Sequence, residues 1–282
     1  MPKESTKLQA GKPVAPFSEF DINQLIYLSQ RDATFVQAVS DTLTLRENNN
    51  WRWLYSTDRT LVSIMDLKRA ERIVSTNQQI MLASLALLGV QFDQTLKVLN
   101  LGLGGGAFER FFSYYFNQLK LTSVELDNRL IELAIKQFAV ESASSKIDLI
   151  NNSADAFIQQ QENQNYQLVL CDIFSGNRHP SCIQSPDFYH HIAKNLSATG
   201  VLAINLLPAD NKQLLNILVL IRQVMPWTLI AEIAGTRNII FIASKSPFVK
   251  GPLALQHAKT LSAQLDWDLT ESLGQLTLLP NL

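Results

Sequence analysis

Cysteine is scarce in this sequence, with only Cys171 and Cys182 among 282 residues. The first lies inside an apolar run and the second in a stretch typical of a loop, which argues against a disulfide framework. A chain of this kind is expected in a reducing compartment, so a cytoplasmic protein is predicted. The four histidines do not follow the spacing of zinc ligands, and no metal is predicted.

Charge of one sign and long apolar runs are also lacking. The chain has 24 basic and 25 acidic side chains, a formal net charge of -1 at pH 7. A nearly neutral surface offers no broad field for nucleic acid or anionic lipid, so neither partner is predicted. The longest apolar run, Ile80 to Val90, has 11 residues, which is too short to cross a bilayer. No secretion signal is recognised, and residues 1–20 are interpreted as a flexible tail.

What the chain does contain is enough apolar sequence, 46%, to bury a large core. Short β-like segments with polar turns between Thr42 and Asp66 predict a small β-rich domain over residues 21–75. In that region Trp51, Trp53 and Tyr55 share one strand face, which is interpreted as covering a small core. A helix is expected over Ser75 to Leu88.

From Lys97 to Leu206 the sequence alternates apolar runs with amphipathic segments, which predicts a mostly parallel α/β sheet covered by helices on both faces. The first of these helices is expected over Ala107 to Leu119. Two further apolar runs separated by a Gly235 turn predict a closing antiparallel hairpin. The main domain is therefore assigned to residues 76–250, with a C-terminal helix and tail over residues 251–282.

A glycine cluster follows the first predicted strand of this domain, Lys97 to Leu101. Backbone amides beside such glycines can approach a ligand closely, and the helix that follows favours an anionic or polar group. Glu125 ends the next predicted strand, where a carboxylate can accept hydrogen bonds from both hydroxyls of a ribose. The pattern predicts a nucleotide site whose glycines are Gly102, Gly104, Gly105 and Gly106.

Two more strand ends carry acids. Asp172 emerges from a buried strand where ligands gather in such sheets, so it is predicted to orient the acceptor or to take its proton. Ala154 and Asp155 begin a helix and are expected to face the adenine amino group. Asp155 also has an alternative interpretation as a helix cap, and the two roles are compatible.

The segment from Lys97 to Leu206 resembles the spermidine synthase family of class I S-adenosylmethionine-dependent transferases, and more narrowly its bacterial branch of spermidine-synthase-like, methyltransferase-type proteins. The motifs that carry the resemblance are Leu101–Gly106, Val124–Asp127, Ala154–Ala156 and Cys171-Asp172. The resemblance implies a Rossmann-like sheet, S-adenosylmethionine or its decarboxylated form as donor, and a homodimer built through the N-terminal β region.

Three departures from the family pattern concern the reaction. Spermidine synthases carry an aspartate at the position of Gly104 and a second acid at the position of Ser175, and a tyrosine that helps to hold the diamine is matched by the segment Met81–Ala83. A diamine has two ammonium groups that need acidic partners once they leave water. Methyl transfer to a small-molecule acceptor is therefore predicted ahead of aminopropyl transfer.

Other functions remain open at this point. Aminopropyl transfer from decarboxylated S-adenosylmethionine to an altered amine is the first alternative. A protein that binds an adenosyl nucleotide or assembles without turnover is the second. An NAD-dependent dehydrogenase is a distant third, because the glycine spacing fits its fingerprint only loosely and the closing hairpin does not fit.

Overall fold

Two β-sheets organise the chain. The structure, a computed structural model, describes residues 22–141, 146–174, 176 and 178–280. The predicted tail, residues 1–20, and Ser175 lie outside the described residues. An antiparallel sheet of four strands precedes a mixed sheet of eight strands. The α/β fold class, with a mostly parallel main sheet and a small N-terminal β region, is confirmed.

The N-terminal sheet is a meander in which each strand pairs with the next, in the order β1-β2-β3-β4. Trp53 and Leu54 are neighbours on one strand, point to opposite faces and are both fully buried, so both faces of the sheet are covered. Trp53 packs against the N-terminal helix, and Leu54 against a helix of the main domain. The elements are α1 (Ile22–Ser29), β1 (Phe35–Ala38), β2 (Leu43–Glu47), β3 (Trp51–Ser56) and β4 (Leu61–Asp66).

The main sheet has the order β12-β10-β11-β9-β8-β5-β6-β7. Strands β5 to β9 run parallel to their neighbours among themselves, whereas β10, β11 and β12 are antiparallel. Its elements are α2 (Thr76–Leu82), α3 (Ser84–Leu88), β5 (Leu96–Leu101), α4 (Ala107–Tyr115), β6 (Leu119–Glu125), α5 (Asn128–Gln137), β7 (Ile147–Asn151), α6 (Ala154–Gln160), β8 (Tyr166–Cys171), α7 (Pro186–Asn195), β9 (Leu196–Leu206), α8 (Asn211–Val224), β10 (Trp227–Glu232), β11 (Ile239–Ser244), α9 (Gly251–Ser262), α10 (Leu269–Gly274) and β12 (Thr277–Leu278).

Helices cover both faces of this sheet, as parallel strands require. Val98 and Leu99 are consecutive on β5, face opposite sides and are both fully buried. Each belongs to a different apolar cluster, one containing α3, α4 and α9, the other α7 and α8. The main sheet is therefore a central layer between two cores.

Two expected helices differ from the structure, and one strand was missed. The helix expected to reach Leu119 ends at Tyr115, because Phe116 turns to an extended conformation (φ -106°, ψ 115°) while its side chain continues the buried pattern. The helix expected over residues 75–88 is two helices joined at Ala83, whose amide bonds three residues back to Ile80. Strand β1 was not predicted, because all four of its side chains are exposed and show no burial pattern.

A buried arginine joins the two sheets. Arg110 on α4 is 5% exposed, and its guanidinium donates to the backbone carbonyls of four segments. Those carbonyls belong to Ile64 on β4, Ala70, Gly105 and Phe138. Burial lowers the pKa of Arg110 to about 10, so it stays charged at neutral pH. One cation thus fixes the glycine loop relative to the N-terminal sheet.

Two expectations about chemistry outside the site can be compared with the structure. Cys171 and Cys182 are both free, buried thiols. Burial raises the pKa of each thiol, which keeps both of them protonated at neutral pH. Among the described residues, the helices are all too short or too polar to pass through a bilayer.

Candidate active site

Four neighbouring strands bring the predicted site residues to one edge of the main sheet. The order β8-β5-β6-β7 places Asp172, the glycine loop, Glu125 and the Ala154-Asp155 segment side by side. Each of these follows or ends its strand at the carboxyl end, where parallel sheets bind ligands. The four strand ends that were predicted to border one crevice therefore belong to adjacent strands.

Glu125 is the best-anchored group in this crevice. Its Oε2 accepts hydrogen bonds from the backbone amides of Leu103, at 3.1 Å, and Gly104, at 3.2 Å. Its Oε1 accepts from the amide of Asp127 at 3.0 Å. Three backbone donors hold the carboxylate in one orientation against the glycine loop, and Oε1 keeps a lone pair for another donor. The side chain is half-buried, so part of its surface is open to solvent.

The glycines of the loop serve different purposes. A Cβ on Gly102 would overlap the carbonyl oxygen of Asp172, one on Gly105 would overlap Ser63, and one on Gly106 would overlap Val140. At these three positions packing within the protein leaves no room for a side chain, and their role in admitting a ligand to the backbone stays a prediction. Gly104 is different, since no atom lies within 4 Å of its Cβ position, and its φ of +53° is what favours glycine there.

The β7 end borders Glu125 on its other side. The amide of Asn151 donates to the carbonyls of Glu125, at 3.0 Å, and Leu126, at 2.9 Å. Helix α6 starts at Ala154, and Asp155 stands exposed in its first turn. The α6 N-cap is Ser153, so the placement of Asp155 allows a favourable interaction with the helix dipole but does not make it the capping residue.

Asp172 is held by an amide chain that was not foreseen. Asn205 on β9 donates from its Nδ2 to Asp172 Oδ1 at 2.9 Å. Asn238, before β11, donates to Asn205 Oδ1 at 3.0 Å. Burial raises the pKa of Asp172, and the hydrogen bond from Asn205 opposes that shift. A carboxyl group with a raised pKa beside a ligand crevice is suited to take up a proton.

The Asn205→Leu variant is expected to raise the pKa of Asp172 further, because it removes the hydrogen bond that favours the carboxylate. The native state then binds a proton more tightly than the unfolded state over a wider range above the ordinary pKa of aspartic acid. Stability should therefore fall more steeply as the pH rises through that range. Carboxyl ¹³C NMR of labelled protein, titrated with Asp172→Asn as the assignment control, measures the shift directly.

Asn238→Ala provides a graded comparison for that titration. It removes only the second link of the chain, so a smaller upward shift of the Asp172 pKa is expected. An unchanged titration in Asn205→Leu would contradict the proposed orientation of the amide.

The loop after Asp172 is fastened by a histidine. Nε2 of His179 accepts from the amide of Leu207 at 2.7 Å, so its Nδ1 carries the proton and faces the carbonyl of Ile173 at 3.1 Å. Burial lowers the pKa of His179, which favours this neutral form. Its ring lies 4.7 Å from that of Phe174. The histidine therefore has a structural role in holding the loop that borders the crevice.

Two further residues of the crevice were missed from the sequence. Leu126 is 72% exposed next to Glu125, an unusual position for a leucine. Asp58, in the turn between β3 and β4, comes within 3.7 Å of the Cβ position of Gly176 in the loop after β8. The turn between β3 and β4 thus lies next to the loop after β8. Of these two residues, only Leu126 could have been noticed in the sequence, because it directly follows Glu125 at the end of β6. Among the described residues, no group of three or more potential metal ligands occurs.

The chain is similar to known proteins in sequence and in fold, although no family model matches it. A curated relative, the polyamine aminopropyltransferase of Neisseria meningitidis serogroup A, is 24% identical over 170 residues, which cover 60% of this chain and 62% of the relative. The chain thus spans about three fifths of the length of that relative.

Solved structures share the fold. A probable spermidine synthase from Corynebacterium glutamicum superposes with a TM-score of 0.69 at 17% identity, covering 89% of this chain and 91% of the other. Human methyltransferase-like protein 13, determined in complex with SAH, gives a TM-score of 0.62 at 22% identity, covering 68% and 93%. Sequence and fold together confirm the resemblance drawn from the motifs, to spermidine-synthase-like proteins of the class I S-adenosylmethionine type.

Proposed function

We propose that this protein is an S-adenosylmethionine-dependent transferase, with methyl transfer to a small-molecule acceptor ahead of aminopropyl transfer. The observation that carries the proposal is the Glu125 carboxylate, fixed by three backbone amides between the glycine loop and the β7 end. A rigid carboxylate with a free lone pair is suited to accept a ribose hydroxyl. The relatives that point to this donor are an SAH-bound methyltransferase and spermidine synthases.

The groups around Glu125 fit the rest of an adenosyl compound. Exposed Leu126 offers an apolar surface for the nucleobase, and Ala154 with Asp155 would face its amino group. The space beside Gly104 would receive the amino-acid portion of the donor. Because two loop amides already donate to Glu125, a second ribose hydroxyl bound to Oε2 must displace one of them.

Asp172 would act on the acceptor. The bound donor supplies a methyl group on a positively charged sulfur, and its S–CH₃ bond breaks as the new bond to the acceptor forms. The acceptor must lose one proton, which Asp172 is placed to accept, because its raised pKa makes the carboxylate a better base. Asn205 would keep that carboxylate turned toward the crevice. Alignment in a water-poor site supplies much of the acceleration.

Aminopropyl transfer is the second candidate, and the sequence similarity to a polyamine aminopropyltransferase favours it. Decarboxylated S-adenosylmethionine ends in an ammonium group that needs an anionic partner. At the corresponding loop position this chain has Gly104 with open space instead of an acid. That difference is the reason for placing methyl transfer first.

Donor preference tests the proposal. Thermal unfolding of the protein with S-adenosylmethionine, S-adenosylhomocysteine, decarboxylated S-adenosylmethionine, methylthioadenosine and NAD should show the largest rise in Tm with the first two. A ligand present at 100 times its Kd stabilises by about 2.7 kcal/mol, which is readily measured. No stabilisation by any adenosyl compound would refute the proposal. Tight binding without turnover in an acceptor screen would favour a non-catalytic adenosyl-binding module.

Gly104→Asp is the matched variant for this screen. The position has room for a side chain, and a new carboxylate there should favour the decarboxylated donor by at least about tenfold relative to wild type. A wild-type protein that already prefers the decarboxylated donor would instead establish the aminopropyl alternative.

Assembly and location stay predictions. The exposed side chains of Phe35 and Val36 on edge strand β1 offer the surface on which the expected homodimer through the N-terminal sheet would form.

A further inference from the structure

A cavity with a volume of about 440 Å³ lies between helix α6, which has seven residues, and strands β5, β6 and β7, mostly toward their amino ends. It is lined by Lys97, Lys120, Thr122, Lys146, Asp148, Ile150, Phe157, Gln161, Gln164 and Tyr166.

Two lysines face each other on its floor. Lys97 on β5 and Lys120 on β6 are direct partners in the parallel register, so their side chains stand on the same face of the sheet. Like charges placed directly opposite on neighbouring strands destabilise a sheet. The pKa of Lys97 is lowered by burial and by the charge of Lys120. Lys120 is exposed, so solvent screens part of this repulsion, and an anion bound between the two ammonium groups would relieve it further.

The cationic groups are also held in place. Lys97 Nζ donates to the carbonyl of Gln164 at 2.7 Å and to its side-chain oxygen at 3.0 Å, which leaves one of its three N–H donors for a ligand. A third ammonium, that of Lys146, is fixed by the carbonyls of Ser113 and Phe116. Asp148 is the one carboxylate among the described lining residues. The cavity therefore has an excess of positive charge in a preformed arrangement.

The remaining walls suit an organic ligand. The hydroxyl groups of Thr122 and Tyr166 hydrogen-bond each other, which leaves one neutral O–H donor, while Ile150 and Phe157 add apolar surface. Lysine is a common ligand of phosphate groups, which it meets as a point charge. We propose that this cavity binds a small phosphate ester, with the phosphate between Lys97 and Lys120.

The cavity is separate from the donor crevice. Along β6 five residues separate Lys120 from Glu125, a distance of about 16 Å in an extended strand. The ligand of one site does not reach the other, so the phosphate proposal holds or fails independently of the proposed transferase function.

Isothermal titration with inorganic phosphate and with glycerol 3-phosphate, at constant ionic strength, tests the site. One molecule per chain should bind, and Lys120→Gln and Lys97→Gln should each weaken the affinity at least tenfold. The matched control is Lys212→Gln, at an exposed position of helix α8, which should bind phosphate as wild type does. Phosphate should also raise the Tm of wild type but not that of Lys120→Gln.

A second readout covers the case in which Lys97→Gln does not fold. In phosphate-free buffer of low ionic strength, Lys120→Gln should have a higher Tm than wild type, because it removes the like-charge contact. Equal stabilisation by chloride and phosphate, unchanged affinity in Lys120→Gln, or no saturable binding of either phosphate compound would overturn the proposal.

Discussion

Glu125→Gln is expected to lower the affinity for S-adenosylhomocysteine by at least about tenfold. The variant keeps the shape of the side chain but removes the charge, and hydrogen bonds to a charged group contribute about 1.5–3 kcal/mol each. The ribose hydroxyl bound to the free lone pair of Oε1 thus accounts for at least about 1.5 kcal/mol, or about one power of ten, whereas a hydroxyl on Oε2 must first displace a loop amide. Isothermal titration of both proteins measures the difference.

The free protein should change as well. Glutamine carries one NH₂ group, and either orientation places that group opposite a backbone N–H that now donates to Glu125, whether from Leu103, Gly104 or Asp127. One end of the side chain therefore loses its hydrogen bonds, and the loop loosens before any ligand arrives.

Glu132→Gln is the control for this measurement. Glu132 lies on α5, the helix after Glu125, and pairs at the surface with Lys136 at 2.9 Å. It should leave the affinity unchanged, since an exposed pair of this kind contributes little. An affinity of Glu125→Gln within twofold of wild type would remove the basis of the proposed nucleotide site.

Arg110→Met should destabilise the fold by about 3–5 kcal/mol, the usual cost of removing one partner from a buried charged network. Four backbone carbonyls, those of Ile64, Ala70, Gly105 and Phe138, would lose their donor inside the protein. In a chain of this length such a loss lowers Tm by about 10 °C. Urea denaturation followed by circular dichroism gives the free energy of unfolding.

Arg129→Met separates this effect from the loss of any arginine. Arg129 is exposed and pairs with Asp127 at 2.7 Å, so its removal should cost less than about 1 kcal/mol. If Arg110→Met also lowers the free energy of unfolding by less than about 1 kcal/mol, the two sheets are held together mainly by apolar contacts. Because Arg110 also binds the glycine loop through Gly105, we expect the variant to lose donor affinity along with stability.

Much of the main sheet was predictable from local patterns. Lys97 to Leu101 was predicted as a strand from its apolar residues, and β5 begins one residue earlier, at Leu96. The glycine cluster and Glu125 were recognisable because a strand, a turn and an acid recur at a fixed spacing. Such signals depend on neighbours in the sequence, and the fold class follows from their repetition.

The missed features depend on contacts between distant segments. Arg110 is one of 24 basic residues, and its burial is set by carbonyls up to 46 positions away. The amide chain from Asn238 through Asn205 to Asp172 joins three strand ends that only the sheet order brings together. Short β12 was equally hidden, since Thr277 and Leu278 form a strand only by pairing with β10.

The roles of the loop glycines show the same limit. The sequence marked Gly102, Gly104, Gly105 and Gly106 as one set of ligand-facing glycines, although at three of them packing within the protein also leaves no room for a side chain. Only the arrangement of Ser63, Val140 and the Asp172 carbonyl around the loop separates these cases. A pattern of glycines indicates positions where a side chain does not fit. Only the tertiary structure shows whether protein atoms or open space lie at each Cβ position.

The contact between Gly102 and the backbone of Asp172 has an evolutionary consequence. Main-chain atoms of Asp172, with the side chain of Ile173 beside them, fill the space that a side chain at position 102 would need, so the glycine loop packs directly against the end of β8. Under the proposed function, this contact would set the distance between the bound donor and the acid that acts on the acceptor. Substitutions elsewhere around the acceptor would then leave that distance unchanged, so a related protein could take a different acceptor and keep the same donor.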